Sequence, residues 1–351
     1  MARRNTRVSL KSMMDSAETA PIRRRRRRWL GCLPFVLVLA VVIAGGLYLN
    51  RHRDLLPIPV SEGCEVDSAD GLVDLSLDQM SNAGTIAAVA VSRNLPERAV
   101  TISLATAMQE SKLQNLTAGD RDSIGLFQQR PSQGWGTPAQ IGDPVYATNK
   151  FLDKLVQIQG YAQLPLTVAA QDVQHSGYPD AYATHETDAK TLAGALTGRV
   201  PASLNCTVNS VGSAVTGPIG ADGLQQGGRA VSAKLKDEFG STVTPRAATA
   251  AGSADAAGGS SSSSSAAVDP QGLGLTVGTG SGTAGTARGW AVAQWAVANC
   301  QNLHITSVSY RGKVWRSSDS TKRWQSSGAS ATSGPVQITV AAKAAAASPS
   351  S

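Results

Sequence analysis

The chain has 351 residues, among them 35 Gly and 16 Pro, with long Ala/Ser tracts; it is long enough for two ordinary domains, but much of it has a composition that does not pack. The net charge of +7 looks like a nucleic-acid signal until it is divided along the chain, because residues 1–28 hold ten Lys/Arg against Asp15 and Glu18, which leaves −1 for everything after them. The basicity belongs to the amino-terminal arm, so no nucleic-acid partner is expected. Nor is a metal or other cofactor: His52, His175, His185 and His304 are scattered, and no Cys-x-x-Cys or His-x-x-x-His spacing occurs.

The basic cytoplasmic arm (1–28) runs into Trp29 to Leu49, twenty-one uncharged residues closed by Arg51-His52-Arg53. As a helix, that length crosses a hydrocarbon layer of about 30 Å. It reads as a signal anchor, with signal-peptide cleavage as the rival. The heavier positive charge on the arm keeps the amino terminus inside and exports the rest. The expected membrane contacts are therefore residues 29–49 and the arm, and the expected location is the cytoplasmic membrane, single-pass, with the carboxyl-terminal region outside. Residues 50–63, with Pro57 and Pro59, form a stalk. Export permits disulfides, and Cys64 and Cys206 bracket the next segment at its two ends. They are expected to be paired, whereas Cys300 reads as a buried free thiol.

Helical patterns then follow one another over Asp78 to Val91, Pro96 to Lys112, Pro144 to Ile158, Pro165 to Gln174 and Asp180 to Leu196. Asp143-Pro144 is a cap followed by Pro at the first helical position, and Gly160 and Gly198 are stops. Little reads as strand. In the second helix Val100, Leu104, Ala107 and Met108 make the apolar stripe, and Glu110 lies on its edge beside Ala99, Ser103 and Thr106. A carboxyl so placed can sit in a partly dry cleft. Partial desolvation favours the protonated form of a carboxyl, which can then donate its proton to a leaving oxygen.

Glu110-Ser111 is followed by Ser123-Ile124-Gly125-Leu126-Phe127-Gln128, and then by Gln129-Arg130-Pro131-Ser132-Gln133-Gly134-Trp135-Gly136. This arrangement resembles the lytic transglycosylase and goose-type lysozyme superfamily, in an actinobacterial-type, membrane-anchored branch, over roughly Asp78 to Gly198. The resemblance implies that Glu110 is the catalytic acid and that Ser123 and Gln128 hold the glycan or orient the acid. The usual Ala-Tyr-Asn-Ala-Gly segment is absent. Ala170 to Gly177 stands in its place, and Gln174 within it is assigned to substrate. Trp135, held between two glycines, either stacks on a sugar ring or packs inward. Asp122 either caps a helix starting near Ser123 or acts as a base.

Residues 207–285, with Ser260 to Ser265, have a linker composition, in which a short helix is expected at Arg229 to Phe239. Order returns with a helix through Val292, Trp295, Ala296 and Asn299, then strand-like Ile305 to Tyr310, Lys313 to Arg316 and Pro335 to Val340. This small α+β domain (286–341) weakly resembles domains appended to other cell-wall hydrolases. The His-x-His pair of those relatives is missing, so it reads as an attachment surface for the wall or a cell-envelope protein partner. Residues 342–351 read as a disordered tail.

The expected fold is mainly α: one transmembrane helix, a lysozyme-like domain (64–206), a flexible linker and the small domain. The expected activity is cleavage of the MurNAc-GlcNAc β-1,4 bond of peptidoglycan glycan strands, by hydrolysis or with formation of an anhydro product. The alternative is a non-catalytic peptidoglycan-binding protein of a cell-envelope complex.

Overall fold

A computed structural model describes residues 38–41, 43–45, 60–177, 179–213, 217–248, 272–328 and 334–342. The chain divides into two compact units, residues 1–58 and 59–351. Residues 38–41 and 43–45 are helical, and most of the expected anchor, 29–49, lies outside the described residues. Among the described residues no helix is long and apolar enough to cross a membrane.

The second unit begins with β1 (Gly63–Ser68) and β2 (Gly71–Leu75), then α1 (Leu77–Ser92), α2 (Glu97–Ser111), α3 (Pro138–Ile141), α4 (Pro144–Leu155), α5 (Leu166–Gln174), α6 (Glu186–Leu196) and β3 (Leu204–Thr207). It continues with α7 (Gln226–Phe239), β4 (Thr244–Ala247), β5 (Gly274–Gly278), α8 (Gly282–Ala298), β6 (Ile305–Tyr310), β7 (Lys313–Arg316), β8 (Gln325–Ser326) and β9 (Val336–Val340). Two antiparallel sheets result, of three strands in the order β2-β1-β3 and six in the order β4-β5-β9-β6-β7-β8.

This corrects the expectation of a mainly α chain with an appended small domain. Two sheets are built, and α7, β4 and β5 lie inside the 207–285 stretch that composition marked as linker. The three-stranded sheet escaped notice because its strands are short and acid-rich on one side. In β1, Cys64 and Val66 turn inward while Glu65 and Asp67 turn out, a two-residue alternation too brief to stand apart from a charged stalk.

The core is organised around α1. Ser76 caps it, accepting from Gln79 N, while Gln79 Oε1 accepts from Ser76 N. Ten of its residues, Met80 among them, are buried, as expected of a helix packed on several sides at once. Its own side chains close the end of α2: Gln79 Nε2 donates to Lys112 O at 2.8 Å and Asn82 Nδ2 to Leu113 O at 2.8 Å.

The carboxyl-terminal half packs on this helical core rather than beside it. Gln294, on α8 and fully buried, accepts from the backbone N–H groups of Ser203 and Leu204 at 2.9 and 2.8 Å. Its amide donates to Ala195 O and Val200 O at 2.7 and 3.1 Å. Glu238 of α7, also fully buried, accepts from Thr85 of α1 at 2.8 Å, Lys234 Nζ at 2.6 Å and Trp295 Nε1 at 2.5 Å. Burial pushes its carboxyl above the usual range, and Lys234 and the other donors oppose that shift. Trp315 Nε1 and Trp324 Nε1 reach Asn205 Oδ1 and Leu204 O on β3.

Close backbone approach completes the seam. Gly198, with φ +76°, ends α6 where an added Cβ would lie 1.9 Å from Ala287 O of α8, so any side chain there would force the helices apart.

Cys64 and Cys206 face one another across β1 and β3 and form a disulfide that closes a 142-residue separation. Cys300 is a buried free thiol, pushed up to about 12 by burial.

Candidate functional site

Helix α2 brings Glu110 to its last turn, and two successive left-handed residues, Lys112 (φ 55°) and Leu113 (φ 60°), then turn the chain sharply away. The helix end is pinned to the following loop by Ser111, whose hydroxyl lies 2.7 Å from Leu126 O and 3.0 Å from Ala107 O. Glu110 is half-buried, next in sequence to the Ser111 contact that ties the helix end to Leu126. Its Oε1 accepts a 2.7 Å hydrogen bond from the hydroxyl of Tyr182.

Tyr182 lies in the 3₁₀ segment Pro179–His185 and is fully buried. Burial pushes its phenol well above the usual range; Ser176 opposes that shift, and the charge and hydrogen bond of Glu110 add to it. The phenol therefore stays protonated and remains a donor to the carboxylate. The neighbouring Gln109 pairs with His185 at 3.1 Å, and burial holds that imidazole below its ordinary value against the opposing charge of Asp188.

The loop is folded on itself. Ile124 bridges Gln129, and Gly125 N donates to Leu116 O at 2.7 Å. Gly125 adopts φ +79° with the Ile141 carbonyl 2.7 Å from where a Cβ would stand, which fits the requirement for glycine at that point of the motif. Ser123 and Gln128, which the resemblance assigns to holding the glycan or orienting the acid, bond to each other within the loop. The Ser123 hydroxyl is 2.7 Å from Asp120 O and 3.0 Å from Gln128 Oε1, and Gln128 Nε2 donates to Gly125 O at 3.1 Å. Ser123 is buried and Gln128 half-buried. These contacts shape the loop from within.

Gln174 reaches the same loop from α5, donating to Phe127 O at 2.9 Å. Trp135 is half-buried against the core, and its carbonyl accepts from the Tyr146 hydroxyl at 3.2 Å. Gly136, at φ +140°, leaves room for that same hydroxyl 2.6 Å from an imagined Cβ.

Asp122 does not cap a helix, for no helix starts at Ser123. Its Oδ1 accepts from Arg130 Nε at 2.7 Å and from Ser132 Oγ at 3.1 Å, and its Oδ2 accepts from Ser132 N at 2.8 Å. The Ser132 backbone bond first, then Arg130, holds this carboxyl far below the usual range. Its oxygens are occupied in fastening the loop to the turn at Pro131–Gln133.

Residues 220–334 match the family VldE, C-terminal domain. No curated protein matches the chain. The matched stretch begins before α7 and ends just before β9, so it covers most of the six-stranded sheet with its two helices and leaves Glu110 and its loop outside.

One contact at the candidate site had no clear signal in the sequence: Tyr182 lies 72 positions from Glu110. Its role depends on the 3₁₀ segment before α6 folding back over the end of α2. Among the described residues no group of three or more His, Cys, Asp or Glu side chains is arranged to hold a metal.

Proposed function

We propose that the protein is a peptidoglycan glycosidase that cleaves the MurNAc-GlcNAc β-1,4 bond on the outer side of the cytoplasmic membrane, with Glu110 as general acid. The observation that carries this reading is the Tyr182–Glu110 hydrogen bond at the end of the helix that Ser111 ties to the 119–129 loop. A half-buried carboxyl fixed by a buried phenol is positioned as a proton donor needs to be. The Cys64–Cys206 disulfide supports the extracytoplasmic part of the reading, since such bonds persist in oxidising compartments.

In this mechanism Glu110 protonates the bridging oxygen as the glycosidic bond breaks, so that the GlcNAc side departs as a neutral alcohol and positive character develops at the anomeric carbon of MurNAc. Of the two candidate second carboxylates near Glu110 in sequence, Asp120 is solvent-exposed beside Arg121, and Asp122 has its oxygens engaged by Arg130 and Ser132. Water activation by a second carboxylate therefore lacks support there, and attack by the sugar's own hydroxyl, with Glu110 accepting its proton, is the favoured route. Ser123, Gln128 and Gln174 hold the loop that forms one wall, and the half-buried Trp135 offers an edge to a sugar ring.

The test is Glu110→Gln on the full chain, incubated with purified peptidoglycan. The amide keeps the shape and can still accept from Tyr182, and loss of a general acid costs about 10²–10⁴ in rate. Mass spectrometry of the wild-type products should show anhydro ends, lighter by one water than reducing ends. Wild-type release by Glu110→Gln would place catalysis at another group, whereas no release by the wild type itself would move the reading to a non-catalytic glycan-binding protein.

A further inference from the structure

The six-stranded sheet has one face covered and one face with a definite chemistry. Val277, Ile338, Val308 and Trp315 point inward and are buried. Their alternates lie side by side by register: Arg246 on β4, Thr276 on β5, Gln337 on β9, Ser309 on β6 and Gln325 on β8, with Val314 of β7, itself buried, interrupting the row before β8. A second row holds Gly274, Thr339, Ser307 and Arg316. At the usual strand spacing the first row spans roughly 24 Å.

None of the six strands contains an acidic residue. Arg246 stands exposed at one end, and Arg316 at the other beside a cleft of about 230 Å³ lined also by Lys322, Arg323 and Asp319. Arg323 is committed to Glu65 and Asp67, and Lys322 bonds Asp319 at 2.8 Å. Among the described residues neither Arg246 nor Arg316 makes a close ion pair; Arg316 does face Asp319 across the cleft, but that carboxylate is bonded by Lys322, so the cleft keeps a net positive charge. Between these cations lie hydroxyls and amides, and Ser309 Oγ donates to Gln337 Oε1 at 3.2 Å. The sheet's large aromatics, Tyr310, Trp315 and Trp324, are buried.

We infer that this open face binds an acidic polysaccharide, with sugar hydroxyls bonded by Thr276, Gln337, Ser309 and Thr339 and acid groups held at Arg246 and Arg316. The absence of carboxylates from all six strands removes repulsion of an anionic chain, and the two arginines attract it from both ends. A flat row of hydroxyl and amide groups matches a polymer rich in hydroxyls. Single-stranded nucleic acid fits less well, because its binding surfaces stack bases on exposed aromatics, and here those rings face inward. This surface is separate from Glu110 and stands whether or not the glycosidase reading does.

The experiment uses the full chain and polygalacturonate as the probe. The amino-terminal arm is itself cationic, so the readout is local: mass-spectrometric mapping of phenylglyoxal modification at Arg246 and Arg316. Polygalacturonate should protect both arginines and dextran should protect neither. Arg316→Ala should raise the concentration needed to protect Arg246 by roughly two- to fivefold, the scale of one exposed charge contact. Gln337→Glu, which keeps the acceptor for Ser309 and places a negative charge mid-face, should do the same without threatening the fold. Unprotected arginines, or protection of Arg246 unchanged in both variants, would overturn the proposal. Equal protection by oligo-dT would assign the face to phosphodiester polymers instead and equally overturn it.

Discussion

Replacing Gln294 by Leu tests whether the two halves of the second unit are one folding unit. The side chain makes four contacts to the main chain of the 195–204 segment, two accepted and two donated. Not all are equally costly to lose. Ala195 O still accepts from Gly198 N and Val200 O still accepts from the Ser203 hydroxyl, so both carbonyls keep a partner. The N–H groups of Ser203 and Leu204 are left facing an apolar side chain in a fully buried place. A buried unsatisfied donor costs about 1–3 kcal/mol, so the two together predict a loss of about 2–6 kcal/mol. Against a typical total of about 5–15 kcal/mol this is a large share. Urea unfolding followed by tryptophan fluorescence, weighted toward Trp290, Trp295, Trp315 and Trp324, and by alkylation of the buried Cys300 should show one transition, shifted equally in both signals. A shift below about 1 kcal/mol, or two separable transitions, would refute the claim that Gln294 rivets the halves together.

Tyr182→Phe should lower kcat on peptidoglycan roughly tenfold by freeing the Glu110 carboxyl to reorient, with little change in thermal stability, as read from initial rates beside a melting curve. Removing the disulfide by Cys64→Ser with Cys206→Ser should cost about 4–5 kcal/mol in the chain-entropy picture, measured by denaturant unfolding, and non-reducing peptide mapping of the wild type should find the two joined. Asp122 makes the 119–132 loop acid-sensitive: its carboxyl is held below its ordinary 3.8, so its contribution is complete above 3.8 and is lost as pH falls from there through the carboxyl's lowered value. Limited proteolysis should then cut this loop faster in acid in the wild type, and Asp122→Asn should show the faster cutting already at neutral pH.

The helices were legible because their apolar stripes run for three or four turns, and α1, α2, α4, α5 and α6 lie within a few residues of where periodicity put them, except that the first turns expected before α6 are the 3₁₀ segment Pro179–His185. Strands β6, β7 and β9 were legible for the same kind of reason. Strands β1 and β3 were not, since their pairing joins Cys64 to Cys206 across 142 positions and each is too short to show alternation. Strands β4 and β5 flank an Ala/Ser tract that dominates any compositional window. At the candidate site, Glu110, Ser123 and Gln128 were named by the resemblance that their motif carries. Tyr182 was beyond reach because a 3₁₀ turn carries no periodic signal. Asp122 was expected at a helix start because cap residues and loop-anchoring residues are of the same types.

The Gln294 contacts also set an order in time. Chain synthesis delivers Cys206 and the whole helical half first, yet the N–H groups of Ser203 and Leu204 wait for an acceptor that lies 91 and 90 residues downstream. Until α8 has emerged, those two N–H groups lack the Gln294 acceptor, and the end of α6 lacks the backbone against which Gly198 seats. The half that carries Glu110 therefore reaches its finished form only when most of the chain has been made, which ties maturation of that site to completion of the polypeptide.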